Sequence, residues 1–236
     1  MKASPARTTA RDSVLDAADR LLGRLGYHKT TLDDLAREAR IGRRTIYMHF
    51  ESKEEIFLAS IDRVVERLCV ELLKIAASGA PPSDRLRRML LARVMFRFDS
   101  VQGYYQSLDE MLSHLRVAYL ERRSRYFADE AKILAEVVAE GTRARVFHVH
   151  DPAAAARSLV VATNSLLPYS LSTRELGSRK LVESEALRVA DLLLAGIEAP
   201  SSAHASAHAP SHTSSSRSRK HKLKVQPDTP ARESKP

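Results

Sequence analysis

Little in the sequence favours a sheet, a disulfide or a membrane span. There is one cysteine, no tryptophan, and only eight glycines and ten prolines in 236 residues. A lone Cys69 cannot form an intramolecular disulfide, so nothing points to an oxidising compartment. It falls within a helical apolar pattern and reads as a small core residue. Glycine is too scarce for phosphate-cradling loops, and no Gly-x-Ser-x-Gly elbow, P-loop or HExxH pattern occurs, so an enzyme is not expected. No apolar run approaches the ~18–20 residues that span a bilayer. The N-terminus has Lys2, Arg7 and Arg11 without an apolar stretch after them, unlike a secretory signal. Cytoplasmic location, no membrane partner, no cofactor and no metal are the expectations.

What is abundant is helical periodicity and, at the two ends, positive charge. The formal net charge is +9. Residues 1–50 hold ten basic and six acidic side chains, residues 200–236 seven and two, and the stretch between them balances. Excess charge confined to the ends suits a polyanionic partner, or in the C-terminal part a solvated tail.

The expected fold is all-α. A first helix over 11–25 places Val14, Ala18, Leu21, Leu22 and Leu25 at the helical period, with Thr8 or Thr9 to cap it and Gly26 to end it. Thr31 opens a second helix with a Thr-x-x-Asp capping pattern to Asp34. After the turn "RIG", a third covers about 43–49. Helices over 52–76, 83–98, 103–115, 117–142, 152–167 and 179–197 follow, with Pro168 kinking or ending the next-to-last. The domains expected are 1–51, a unit of three helices, and 52–199, a larger helical unit. From residue 200 large apolar side chains almost vanish, so 200–236 reads as a disordered basic tail, expected to attract a polyanion nonspecifically.

Two short helices joined by a tight turn brace one another. On a helical wheel from Ile46, Phe50 and Gly42 fall on the inner side, Arg44 and Met48 opposite, and Thr45 and Tyr47 at the flanks. Arginine can donate twice to a guanine edge, and the threonine methyl can touch a thymine methyl. Tyrosine and histidine can reach phosphates. Such a pair reads as a helix-turn-helix; two consecutive helices of an ordinary bundle with a basic face are the plainer alternative.

The finer pattern "GYHKTTLDDLAREARIGRRTIYMHFESKEEIF" resembles the N-terminal domain of the tetracycline-repressor (TetR) family of bacterial transcription regulators. The resemblance covers roughly residues 13–61. It rests on Gly26-Tyr27, Thr31, Ala36, Ala39, Ile41, "TIYMHF" and "SKEEIF". It implies that Arg43, Arg44, Thr45 and Tyr47 face DNA, and that Thr31, His49 and Lys53 meet phosphates. Lys53 also opens the fourth helix, where backbone N–H groups attract anions. Arg40 stands where the family usually has glycine, and Gly42 where it usually has a serine cap.

The resemblance further implies a homodimer built from the last two helices and a palindromic double-stranded operator. Leu159, Ala162, Leu166, Val182, Ala186, Val189 and Leu193 are the candidate interface residues; the alternative is that both stripes bury within the monomer. It also implies a small-molecule effector among the middle helices. Met89, Phe96, Tyr104, Tyr105, Met111, Tyr119, Tyr126 and Phe127 are candidates to line its site, with Arg93, Arg97 and Arg123 available to an acidic group. These choices favour an apolar or aromatic effector, unless the residues simply form the core. A repressor is the commoner behaviour in the family. A DNA-binding architectural protein, or a regulator without an effector, is the alternative. "HVHD" (His148, His150, Asp151) and His204, His208 and His212 are weak metal candidates, since a loop alternates direction and Pro210 interrupts any helix over the second set.

Overall fold

The structure is a computed structural model, and it describes residues 9–170 and 177–199. The expected tail, with His204, His208 and His212, lies outside the described residues. Eight α-helices are present among those described: α1 (Ala10–Lys29), α2 (Leu32–Ala39), α3 (Arg43–Tyr47), α4 (Lys53–Ala76), α5 (Pro82–Val101), α6 (Leu108–Arg143), α7 (Pro152–Ala162) and α8 (Arg179–Ile197). Among the described residues there is no strand, only an isolated bridge between Phe147 and Glu198, and no helix is long and apolar enough to cross a membrane.

Capping sets most of the early boundaries. Thr9 and Asp12 form a capping box at α1, Thr31 and Asp34 another at α2, and Ser52 accepts from Glu55 N at α4. Each satisfies backbone N–H groups that a helix start leaves open. Gly26, at φ 80° and ψ 172°, interrupts the helical path as expected, and residues 27–29 resume a turn beyond it. Pro82 opens α5 at a position that needs no N–H.

Two expectations are corrected. Residues 108–143 form one helix rather than two, preceded by a 3₁₀ turn, Gln102–Ser107. No proline or glycine interrupts 108–140, so nothing ends the helix near residue 116. Helix α7 ends at Ala162 instead of running to residue 167. Thr163 Oγ1 donates to the Leu159 carbonyl, and a 3₁₀ turn, Asn164–Leu166, follows.

The core forms two clusters, with Cys69 and Phe127 packed against both. Leu15, Leu22, Leu35, Ile46 and Phe57 join the first three helices to α4. Leu68, Leu72, Met89, Leu134 and Leu159 fill the far end between α4, α5, α6 and α7. Gly23 lies so close to Gly103 that a side chain there would overlap the Gly103 carbonyl oxygen, bringing α1 backbone-to-backbone against the 3₁₀ turn. Ser107 Oγ donates to the Leu22 carbonyl at 2.9 Å, and buried Arg63 of α4 grips Asp16 at 2.6 Å and Asp19 at 2.8 Å. These bonds fasten the first helix to those that follow.

Candidate nucleic-acid interface and effector region

Helix α3 is five residues long and owes its stability to its neighbours. Ile46 and Phe50 are buried, anchoring it on α1 and α2. Arg40, which links the two helices, takes the left-handed conformation at φ 57°, ψ 41°, and its N–H caps α2. The turn is therefore the tight one the motif needs, made without glycine. Arg20 and Arg24 of α1 both bond Glu38 of α2, at 2.8 and 2.9 Å, and hold its carboxyl below the usual range.

The outer face of the pair carries the residues chosen from sequence. Arg43, Arg44, Tyr47, Met48 and His49 are exposed, and Thr45 is half-buried at the flank. Arg43 is engaged: Nη2 donates to Tyr47 Oη at 3.2 Å, Nη1 reaches Asp33 at 3.2 Å, and the guanidinium lies over the Tyr47 ring. The Tyr47 hydroxyl and then Asp33 raise its pKa. The Arg44 side chain makes no hydrogen bond or ion pair among the described residues and is free to meet a partner.

The phosphate candidates are more occupied than their sequence positions suggested. Thr31 spends its hydroxyl on Asp34, donating at 2.6 Å, so a phosphate would compete with the cap. Lys53 folds back, donating to the Tyr27 carbonyl at 3.1 Å and lying 4.4 Å from that ring's centre. His49 is exposed, its ring beside Phe50. One basic residue that sequence reading missed is Arg11, whose guanidinium lies 5.6 Å from the Phe50 ring centre. It starts α1, far from the motif in sequence, and only the fold brings it to the end of α3.

This geometry is a basic reading helix held on a three-helix base. Residues 14–60 match the model of "Bacterial regulatory proteins, tetR family" and residues 82–184 that of "Tetracyclin repressor-like, C-terminal domain". The chain belongs to the TetR family. The first of these models describes bacterial regulatory proteins. The HTH-type transcriptional activator FasR of Mycolicibacterium smegmatis is 31% identical over 98 residues, 42% of this chain and 45% of that protein. IcaR of Staphylococcus epidermidis, a negative transcriptional regulator of the biofilm operon icaADBC, is 36% identical over 52 residues, 22% of this chain and 28% of that protein. The chain thus spans less than half the length of these relatives. A transcriptional regulator from Cytophaga hutchinsonii shares the fold at a TM-score of 0.64, with 20% identity over 79% of this chain and 97% of that one.

In the C-terminal half of this TetR-family chain, the residues nominated for an effector are not gathered around one cavity. Met89, Arg93, Arg97 and Met111 are packed in the core, and Phe96 and Phe127 flank it. Tyr104 and Tyr105 line a groove beside Gly23, Tyr126 one between α4 and α6 of about 690 Å³, and Tyr119 and Arg123 one between α6 and α7 of about 430 Å³. The helices approach closely enough for apolar side chains to fill the middle, and Glu130 of α6 occupies both Arg93 and Arg97. Burial and the hydrogen bond to Asp62 push the Tyr126 hydroxyl up.

The interface candidates also divide. Leu159, Val182 and Ala186 are buried within the chain, so they are not free to meet a second copy; Leu166, Val189 and Leu193 are half-buried, and Ala162 is exposed. The outward apolar residues of these helices are Val161, Leu181 and Leu192, at 65%, 65% and 75% exposure. His148 N bonds the Ile197 carbonyl at 2.7 Å, tying "HVHD" to the end of α8, and no group of three metal-ligating side chains exists among the described residues.

Proposed function

We propose that the chain acts as a homodimeric repressor that binds a palindromic operator and is released by a small molecule. The observation that carries this is the exposed face of α3, where Arg44 stands free beside Arg43, Thr45 and Tyr47 on a rigidly braced helix. Two copies related by a twofold axis would offer two such helices to successive major grooves about one DNA turn apart, on the order of 34 Å. Val161, Leu181 and Leu192, rather than the buried members of the earlier set, would then face the second copy. Arg63, bonded to α1 from α4, gives an effector in the C-terminal half a route to the reading helices.

The test is footprinting on DNA from upstream of the chain's own gene, with stoichiometry measured on the protected fragment. The proposal requires two chains per site and two inverted half-sites. One chain on one unsymmetrical half-site would contradict it. The filled centre around Met89 and Met111 favours a second reading, a DNA-binding regulator without an effector. A thermal-shift compound screen that stabilises nothing would support that reading.

A further inference from the structure

At the centre of the C-terminal helices, two arginines share one carboxylate away from water. Arg93 Nε donates to Glu130 Oε2 at 2.6 Å, Arg97 Nη2 pairs with Glu130 Oε1, and Arg93 Nη1 donates to Thr163 Oγ1 at 2.7 Å. Arg93 and Glu130 are both fully buried. One carboxylate balances one guanidinium, so a positive charge is left over. Arg93 Nη2 is also buried without a hydrogen-bond partner among the described residues. An uncompensated buried charge is among the costlier features a fold can carry, and an anion nearby relieves it. Burial brings Arg93 down to about 10, against the pull of Glu130.

This cluster adjoins an open groove. The Arg93 guanidinium lies 4.9 Å from the Phe127 ring centre, and Arg123 lies against the same ring at 5.7 Å. Arg123, Arg116, Tyr119, Asn164 and Ser165 line the α6–α7 groove, and no aspartate or glutamate is among its lining residues that the structure describes. Tyr119 is a buried residue of the groove wall. The larger α4–α6 groove has the opposite character, with Asp62, Glu66, Asp129 and Glu136 outnumbering Arg125 and Lys132.

We propose that the α6–α7 groove binds the oxyanion of a small organic molecule, a carboxylate or phosphate ester. Arg116 and Arg123 pair with it, and Tyr119 and Asn164 supply further hydrogen bonds. Planar guanidinium groups match both oxyanions. The inference deepens the effector reading above and names the chemistry of its ligand.

The test titrates the full chain at constant ionic strength with benzoate, phenyl phosphate, neutral benzamide and cationic benzylamine. Calorimetry and thermal shift are the readouts. Benzoate or phenyl phosphate should bind at least about tenfold more tightly than benzamide or benzylamine, and the tighter of the two identifies the source of the oxyanion. Arg123→Gln should weaken the anion about tenfold, Arg123→Lys should retain most of the binding, and Arg125→Gln in the other groove should leave it unchanged. Circular dichroism checks each fold. No anion binding, equal binding of benzamide, or a folded Arg123→Gln with full affinity would overturn the proposal. Operator affinity, measured in parallel, separates the two readings. Anion binding without an effect on the operator keeps the site and removes its effector role. Operator binding without anion binding removes the site alone.

Discussion

Arg40 sits at φ 57° with a full side chain, where glycine would have no steric penalty. Its side chain is exposed, so the left-handed backbone is a local cost with no packing in return. Arg40→Gly should stabilise the chain by about 1 kcal/mol, read as an upward shift of the thermal midpoint, and an unchanged or lower midpoint would refute this. Cys69 makes the opposite case, a residue quieted by its surroundings. Burial, and next the nearby Glu130, push its thiol up to about 11. At pH 7.5 the thiolate is a very small fraction, so Ellman's reagent should modify the folded chain far more slowly than the urea-unfolded one. Equal rates would show that the thiol is not shielded. The inward turn of Ile46 and Phe50 was legible because a short helix has one period and one buried side. The Arg93–Glu130–Arg97 cluster was not. Arginines four apart look like a solvated face until a carboxylate 33 residues beyond Arg97 is folded against them.

At the scale of elements, the two threonine capping boxes act as local switches on acid stability. Hydrogen bonds from Thr9 hold Asp12, and those from Thr31 hold Asp34, below the ordinary aspartate range. A carboxyl whose folded pKa is depressed stabilises the fold above its unfolded value and loses that contribution as pH falls through the folded one. The contribution of these caps should therefore be constant from pH 7 to about 5 and decline below about 4. An Asp12→Ala, Asp34→Ala chain followed by urea unfolding should lose stability at pH 7 but show a smaller further loss on acidification than the parent. An identical acid slope would contradict the assignment. These starts could be read from sequence because caps are spelled by local residue types. The sequence reading divides the single 36-residue α6 into two helices, although its buried residues from Leu108 to Gly141 recur at the helical period on one face.

Over the whole molecule, α7 and α8 present apolar residues on more than one side. Val182, Ala186 and Leu194 face the core while Leu181 and Leu192 face outward. With apolar residues on more than one side, helical period alone could not separate inner from outer, and three of the seven interface candidates are buried within the chain. If the outward stripe joins two copies, Leu192→Glu should yield a folded monomer by light scattering, because an unpaired charge would be buried at the seam. A dimer of unchanged stability would exclude that face. In the proposed function α3 reads DNA through the free side chain of Arg44. The decisive measurement is specific binding of wild type and Arg44→Ala to upstream DNA in excess competitor at two salt concentrations. Arg44→Ala should lose about 1–3 kcal/mol of specific affinity while remaining folded and retaining nonspecific binding. Full specific affinity in Arg44→Ala would contradict it.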